Sequence, residues 1–277
     1  MLRRLTEEHV EASAERGPVS DHILKQLDGG VLTVTLNRPE KYNALTFEMY
    51  DAITDICANV PADGSVKAIV FRGAGGKAFA AGTDISLFRS FETPEQGIAY
   101  EKNGDKVFTA LERCPVPTIA AITGACTGGG AGIAACCDMR IASRSLKYGF
   151  PIARTLGNCL SAATLARLVR LLGEAVVIDM IYTSRLIEAD EALRIGLVNE
   201  IVEDHEAVVA RADVLARQIA GHAPLTLRVT KELLRRLHHR LPPVDDDDLI
   251  GMVYTSADFR EGLDAFLSKR KPNWQGR

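Results

Sequence analysis

The sequence predicts an α/β fold with a layered core of strands and helices followed by a helical tail. In roughly the first two thirds of the chain, short apolar or β-branched runs alternate with segments of helical periodicity, which favours parallel strand pairing. After about residue 155, one helical pattern follows another with a single strand between them. Such an amphipathic tail is too thin for a core of its own, so we expect it to pack on the sheet or on a neighbouring subunit.

Each element follows from the local residue pattern. The strand signals are runs rich in β-branched residues, and the helix signals are apolar residues spaced three or four apart. Strands are predicted at 31–36, 67–72, 117–122, 138–142 and 198–202. Helices are predicted at 46–60, 94–113, 128–137, 159–172, 175–183, 188–195, 205–220, 223–240 and 246–267.

Composition limits the class of function. The 277 residues are 47% hydrophobic, which is enough to bury a sizeable core. The net charge is −3 with signs interspersed, so no basic patch predicts nucleic acid or an anionic membrane as a partner. No apolar run approaches the roughly 20 residues that span a bilayer, and the early glutamates are wrong for a signal peptide. Small-molecule chemistry is the expected class.

The cysteines predict neither a disulfide framework nor a zinc site. All six lie in apolar or Gly/Ala contexts without CxxC spacing, which is typical of reduced, buried thiols in a cytoplasmic protein. We therefore expect no metal. The six are Cys57, Cys114, Cys126, Cys136, Cys137 and Cys159.

Three glycine-rich segments, 72–76, 78–85 and 124–132, are the candidates for ligand contact, because glycine permits close backbone approach. None fits a dinucleotide fingerprint or a phosphate loop. The third lies between a predicted strand and a helix beginning near Gly128, so its free backbone amides form a candidate oxyanion hole. A second donor from the loop ending in Gly82-Thr83 would complete the pair.

Four segments together resemble the enoyl-CoA hydratase/isomerase (crotonase) superfamily. Residues 37–46 (NRPEKYNALT), 78–85 (AFAAGTDI) and 124–138 (GACTGGGAGIAACCD) look like three of its motifs in the family's order. Residues 266–272 (FLSKRKP) are similar to its closing segment. The resemblance spans about residues 30–275.

The resemblance implies a crotonase-like spiral of ββα units with a C-terminal helical region that forms trimers or dimers of trimers. It also implies an acyl-CoA thioester as ligand, with coenzyme A as part of the substrate and no permanently bound cofactor. The expected division is an N-terminal extension (1–25), an acyl-CoA-binding core (26–200) and a helical region for oligomerisation and CoA closure (201–277).

The family's oxyanion donors correspond here to the backbone amides of Thr83 and Gly129. Its CoA-contacting positions correspond to Lys41, Tyr42, Ala44, Ile85 and Lys269.

The chain departs from the family at both acid/base positions. Where hydratases carry two glutamates, this sequence has Gly132 and Ile152, and neither can move a proton. The segment around Ile152 also contains Arg154 and Asn158, which predict a repurposed site with a carboxylate-recognising arginine. The alternative is that Arg154 is a surface residue and that Asn158 or Ser161 caps the following helix.

The resulting hypothesis is a lyase or isomerase that stabilises an acyl-CoA enolate without the usual glutamates. Hydration or isomerisation would need Asp84, Tyr148 or another residue as the acid/base, whereas decarboxylation needs only the oxyanion hole and an oriented carboxylate, a role for Arg154. Asp84 is more often structural at this position. The rival hypothesis is a catalytically silent acyl-CoA binder.

Overall fold

The computed structural model describes residues 21–238 and 244–277. The predicted N-terminal extension lies outside the described residues up to position 20, as does the predicted continuation of a helix to position 240.

Two sheets form the centre of the described chain. The larger has the order β1-β2-β3-β5-β7-β10 and the smaller the order β4-β6-β8-β9. Pairing is parallel except for β1 with β2 and β8 with β9. The strands are β1 Ile23–Asp28, β2 Val31–Leu36, β3 Ala68–Gly73, β4 Ala78–Ala81, β5 Thr118–Ile122, β6 Ala125–Thr127, β7 Met139–Ser143, β8 Lys147–Gly149, β9 Ile187–Glu188 and β10 Glu200–Val202.

Eleven α-helices are described alongside three short 3₁₀ segments within 21–238 and 244–277. They are α1 Phe47–Ala58, α2 Pro94–Arg113, α3 Gly129–Cys136, α4 Ile152–Thr155, α5 Ala162–Leu172, α6 Glu174–Thr183, α7 Ala189–Arg194, α8 His205–Ala220, α9 Pro224–His238, α10 Asp247–Tyr254 and α11 Ala257–Leu267. The 3₁₀ segments are Pro39–Lys41, Ala74–Gly76 and Ile85–Ser90.

The repeating unit is two strands and a helix. In each of three consecutive units the first strand (β3, β5, β7) joins the large sheet and the second (β4, β6, β8) joins the small one, before a helix follows (α2, α3, α4). The expected α/β spiral of ββα units is therefore confirmed. Its first strands are buried almost throughout, as expected for a parallel sheet covered on both faces.

The sequence patterns located the large sheet better than the small one. Five of its strands were predicted within two residues at either end, but β1 and the four short strands of the small sheet were missed. The missed strands of the small sheet have two to four residues, too few to show a period of two.

The helical tail was predicted correctly in type but not in every boundary. The predicted helix 246–267 is wrong as a single element, because the chain breaks after α10 and restarts at Ser256, whose hydroxyl accepts from the Phe259 amide and caps α11. Helix α5 begins at Ala162 rather than 159, with Ser161 as its N-cap.

The tail packs on the core in two places. Helix α8 covers one face of the large sheet, where Val208, Ala212 and Ala216 join a second hydrophobic cluster. Helices α10 and α11 pack beside α2 around Phe88, Tyr254 and other apolar side chains. None of the helices described in 21–238 and 244–277 is long and apolar enough to cross a membrane. The second packing site forms one wall of the candidate active site.

Candidate active site

A cavity of about 160 Å³ lies between the small sheet, α2, α3 and the segment that follows β8. Its wall is mainly apolar, and it contains both loops that were predicted to carry the oxyanion donors. The lining residues used below are Tyr50, Gly82, Thr83, Ile85, Tyr100, Glu101, Gly104, Phe108, Gly128, Gly129, Phe150, Ile152, Asn158 and Phe266.

The two candidate donors occupy equivalent positions on adjacent loops. Thr83 follows Gly82, with φ +86°, and Gly129 follows Gly128, with φ +52°, so each donor comes directly after a left-handed glycine. Gly129 is the first residue of α3, where an amide has no partner within the helix. The loops are close, because a Cβ on Gly128 would lie 3.2 Å from the Gly82 Cα. The structure therefore brings both loops to one cavity wall.

Three hydroxyls connect the donor loops to α1 and α2. The Tyr50 hydroxyl lies 2.8 Å from the Thr83 hydroxyl, which lies 2.7 Å from the Tyr100 hydroxyl. A Cβ on Gly129 would lie 1.9 Å from the Tyr50 oxygen, so this tyrosine also abuts the second donor loop. Burial raises the pKa of Tyr50 to about 12, which keeps it a neutral hydrogen-bonding group.

Asp84 holds the first loop from outside the cavity lining. Its carboxylate lies 3.0 Å from the Arg38 guanidinium and accepts from the hydroxyl and amide of Ser86. Partial burial alone would raise the pKa of Asp84, but these hydrogen bonds outweigh it and the pKa is lowered. Arg38 also donates to the Ala44 carbonyl at 2.6 Å, which ties the loop to residues 42–45.

Gly132 and Ile152, the positions that the resemblance assigns to the family's acid/base glutamates, lie among apolar side chains. A Cβ on Gly132 would lie 2.3 Å from the Phe108 ring, so the ring fills the space beside this glycine. Ile152 and Phe150 are buried in the cavity wall. Tyr148 donates to the Ala131 carbonyl and is fully buried, so its hydroxyl is already paired.

Arg154 and Asn158, the two polar candidates in the segment after β8, differ in their position relative to the cavity. Arg154 is exposed and is not part of the cavity lining, whereas Asn158 lines the cavity. The Asn158 amide donates to the Tyr254 hydroxyl at 3.3 Å, and its Oδ1 is buried without a hydrogen-bond partner. Cys159 is half-buried, and burial raises the pKa of its thiol to about 12.

Glu101 is a carboxylate in the cavity lining that sequence reasoning missed. It lies on α2 and is only 7% exposed. Its Oε1 accepts from the Tyr254 hydroxyl at 2.6 Å, and its Oε2 accepts from the Ser161 amide at 3.1 Å. Burial raises the pKa of Glu101 to about 7, because desolvation outweighs the two hydrogen bonds that lower it.

A signal for Glu101 was present in the helical periodicity. Residues 97, 101, 104 and 108 lie on one face of α2 at spacings of three and four, and the other three are glycine or phenylalanine. A lone carboxylate on such a stripe must be buried with hydrogen-bond partners. The partners came from residues 60 and 153 positions away, which the sequence pattern could not show.

One of the five candidate CoA contacts lines the cavity, and the other four lie outside its lining. Ile85 lines the cavity, and the Tyr42 carbonyl accepts from the Ala81 amide at the end of β4, which places residues 41–44 beside the first donor loop. Lys269 is exposed three residues beyond Phe266, which lines the cavity from α11.

With this geometry in place, the family is established by comparison with known proteins. A sequence profile described as Enoyl-CoA hydratase/isomerase matches residues 26–277. The chain belongs to the enoyl-CoA hydratase/isomerase family.

Relatives in this family differ in their activities. The chain is 35% identical to a short-chain-enoyl-CoA hydratase of Clostridium acetobutylicum, over 91% of this chain and 96% of that protein. It is 29% identical to a 1,2-epoxyphenylacetyl-CoA isomerase of Escherichia coli, over 93% and 99%. Both names describe enzymes that act on CoA thioesters, so family membership supports an enzyme acting on acyl-CoA.

Solved structures of the family give the same fold. An enoyl-CoA hydratase/carnithine racemase from Magnetospirillum magneticum is 37% identical, with a TM-score of 0.75 over 93% of this chain and 96% of that one. A methylmalonyl-CoA decarboxylase in complex with 2S-carboxypropyl-CoA is 29% identical, with a TM-score of 0.81 over 92% and 98%. The enoyl-CoA hydratase/isomerase fold is thus confirmed.

Proposed function

We propose that this protein is a lyase or isomerase that stabilises the enolate of an acyl-CoA thioester with the backbone amides of Thr83 and Gly129. The observation that carries the proposal is the convergence of two glycine-preceded loop amides on one largely apolar cavity. Each such donor contributes about 2.7–4 kcal/mol to an oxyanionic transition state.

The cavity supports a small acyl group as the reacting part. Its volume of about 160 Å³ is close to the roughly 150 Å³ of an apolar cavity that holds benzene. Short-chain or small aromatic acyl groups are therefore the proposed substrate class. Lys41, Tyr42, Ala44, Ile85 and Lys269 remain the proposed CoA contacts.

The exposed position of Arg154 gives no support for its orienting a substrate carboxylate within this subunit. Decarboxylation is therefore the second candidate, favoured by the fold match to a methylmalonyl-CoA decarboxylase. Asn158, whose Oδ1 lacks a hydrogen-bond partner, is a polar side chain of the segment after β8 that does line the cavity.

The oxyanion hole is tested with a chromophoric ligand. Cinnamoyl-CoA should bind with a red-shifted absorbance, because two hydrogen bonds to the thioester oxygen polarise the conjugated system. The matched control is the S-cinnamyl thioether of CoA, which lacks the carbonyl and should bind at least about tenfold more weakly. Equal affinity and an unshifted spectrum would contradict the proposal.

Turnover is then measured with crotonyl-CoA, a 3-enoyl-CoA, malonyl-CoA and methylmalonyl-CoA. Hydration or double-bond migration supports the proposed class. Release of CO₂ that Arg154→Ala abolishes would favour the decarboxylase instead. Tight thioester binding without turnover of any member would favour the silent binder.

Trimers or dimers of trimers remain a prediction. Helix α9 exposes Leu225, Val229 and Leu233, each by more than half of its surface, which supports burial against another subunit. Light scattering should give three or six times the chain mass, and a monomer would contradict the prediction.

A further inference from the structure

Glu101 has the geometry of an active-site acid/base rather than of a structural carboxylate. It is buried in the cavity wall that also contains Thr83 and Gly129. Buried structural carboxylates are normally neutralised by a cation. Glu112, which lies on the same helix as Glu101, is paired in this way with Arg167 and Arg170 of α5. The hydrogen-bond partners of Glu101 are instead a neutral hydroxyl and a backbone amide.

The hydrogen-bond partners of Glu101 hold its carboxylate in place but leave some of its acceptor sites free. Each carboxylate oxygen accepts one hydrogen bond, and an ionised carboxylate has about four acceptor sites, so each oxygen retains capacity for a substrate proton. Tyr254 accepts in turn from the Asn158 amide, which fixes its hydroxyl to donate toward Glu101. Tyr254 and Asn158 are thus positioning residues.

The groups facing Glu101 favour its neutral form. Asp105 on the same helix and Asp246 before α10 both raise its pKa, in addition to burial. Asp105 is held by Arg167 at 2.7 Å, and Asp246 accepts from the Ala162 amide. Glu101 also interacts with four further ionisable groups of the described chain, which are Tyr50, Tyr100, Cys159 and Tyr254.

We infer that Glu101 is the catalytic acid/base of this site and supplies the proton transfer that Gly132 and Ile152 cannot. This inference rests on the proposed acyl-CoA enolate chemistry. The Glu101 carboxylate removes a proton from the thioester α-carbon, the C–H electron pair becomes the enolate, and the negative charge on the thioester oxygen is held by the Thr83 and Gly129 amides. Return of the proton from the Glu101 carboxyl group to carbon completes the step.

The test is exchange of the α-hydrogens of butyryl-CoA with D₂O, followed by mass spectrometry. The wild-type protein should incorporate deuterium, and Glu101→Gln should lower the exchange rate by at least about 100-fold. Cinnamoyl-CoA bound to Glu101→Gln should keep its red-shifted absorbance, since the Thr83 and Gly129 amides remain. The matched control is Glu95→Gln, the same change at an exposed position of α2, which should exchange like wild type.

A second variant separates catalysis from simple packing. Tyr254→Phe removes a hydrogen bond that lowers the pKa of Glu101, so the pH at which exchange reaches half its maximum should move upward while Glu101 still functions. Glu101→Asp should retain part of the exchange. If Glu101 had only a structural role, the pH profile of exchange would be the same in Tyr254→Phe as in wild type.

The possible outcomes distinguish failure of the role of Glu101 from failure of the proposed function. Wild-type exchange that persists in Glu101→Gln would overturn the role of Glu101 and leave the acyl-CoA function standing. Red-shifted binding without exchange or turnover in wild type would overturn both the role of Glu101 and the proposed lyase or isomerase activity, in favour of a silent binder. Failure to bind any thioester would overturn the proposed function itself.

Discussion

The Phe108 ring occupies the space into which a side chain at Gly132 would project. A Cβ there would lie 2.3 Å from the ring Cζ and 2.7 Å from Cε1, well inside contact distance. The position to which the resemblance assigns a family glutamate therefore has no room for a side chain unless the Phe108 ring moves. The same helix carries Glu101 on the same face about two turns away from Phe108, at the spacing i, i+7.

Gly132→Ala should destabilise the protein by about 1–3 kcal/mol through overpacking against Phe108. This cost exceeds the roughly 0.5–1 kcal/mol that alanine gains over glycine inside a helix. The control is Gly104→Ala, whose Cβ would meet the same ring at 3.9 Å, an ordinary contact, and which should be neutral or stabilising. Urea unfolding measures both. Equal stability of the two variants would show that the ring moves aside freely.

Glu101 should make the stability of the protein fall as pH rises through weakly acidic values. Its pKa is about 7 in the folded state, above the ordinary 4.5, so between these values the folded state retains a proton that the unfolded state has lost. The resulting decrease in the free energy of unfolding is on the order of 3 kcal/mol. It is complete above about pH 7, where Glu101 is ionised in both the folded and the unfolded state.

Glu101→Gln should remove this component, so the difference in unfolding free energy between pH 5 and pH 8 should become smaller than in wild type. Denaturant unfolding at the two pH values provides the measurement, with Glu95→Gln as the control. The prediction is wrong if wild type and Glu101→Gln depend on pH identically.

Asp84→Ala should act through the Thr83 loop rather than through proton transfer. Removal of the carboxylate leaves the Arg38 guanidinium, whose side chain is 11% exposed, without its charged partner, at a cost of about 1–3 kcal/mol. Turnover should fall because the Thr83 amide is displaced, while the pH profile keeps its midpoint. The readouts are kcat, KM and thermal unfolding. Loss of turnover at full stability would instead make Asp84 the base.

Gly129→Ala and Tyr50→Phe should be coupled. The alanine Cβ would lie 1.9 Å from the Tyr50 hydroxyl oxygen, so Gly129→Ala alone should displace the donor and lower cinnamoyl-CoA affinity by at least about tenfold. Removing that oxygen leaves the ring carbon at 3.1 Å, so the double variant should recover part of the affinity. A double-mutant cycle measures the coupling, and strictly additive effects would contradict it.

The successes and failures of the sequence-based predictions have a common physical basis. Long periodic segments such as α2 were located from their own residues, since the predicted helix and the helix in the structure both span 94–113. The two-residue strand β9 exists because Ile187 pairs with Tyr148, a contact across 39 positions that no local pattern contains. Likewise, the single predicted helix 246–267 is broken where Ser256 forms a new cap.

The sequence alone determined most strands of the large sheet and the two glycine-preceded loops, because these depend on local composition and spacing. The resemblance of its motifs to the family implied the ββα core. It also showed that Gly132 and Ile152 cannot transfer protons. Only the tertiary structure decided which carboxylate meets the cavity. Glu101 is buried there by Tyr254 and Ser161, which are distant in sequence, while Arg154, close in sequence to the expected site, is exposed. Burial and hydrogen bonding are properties of contacts between distant segments, and these form only when the chain folds.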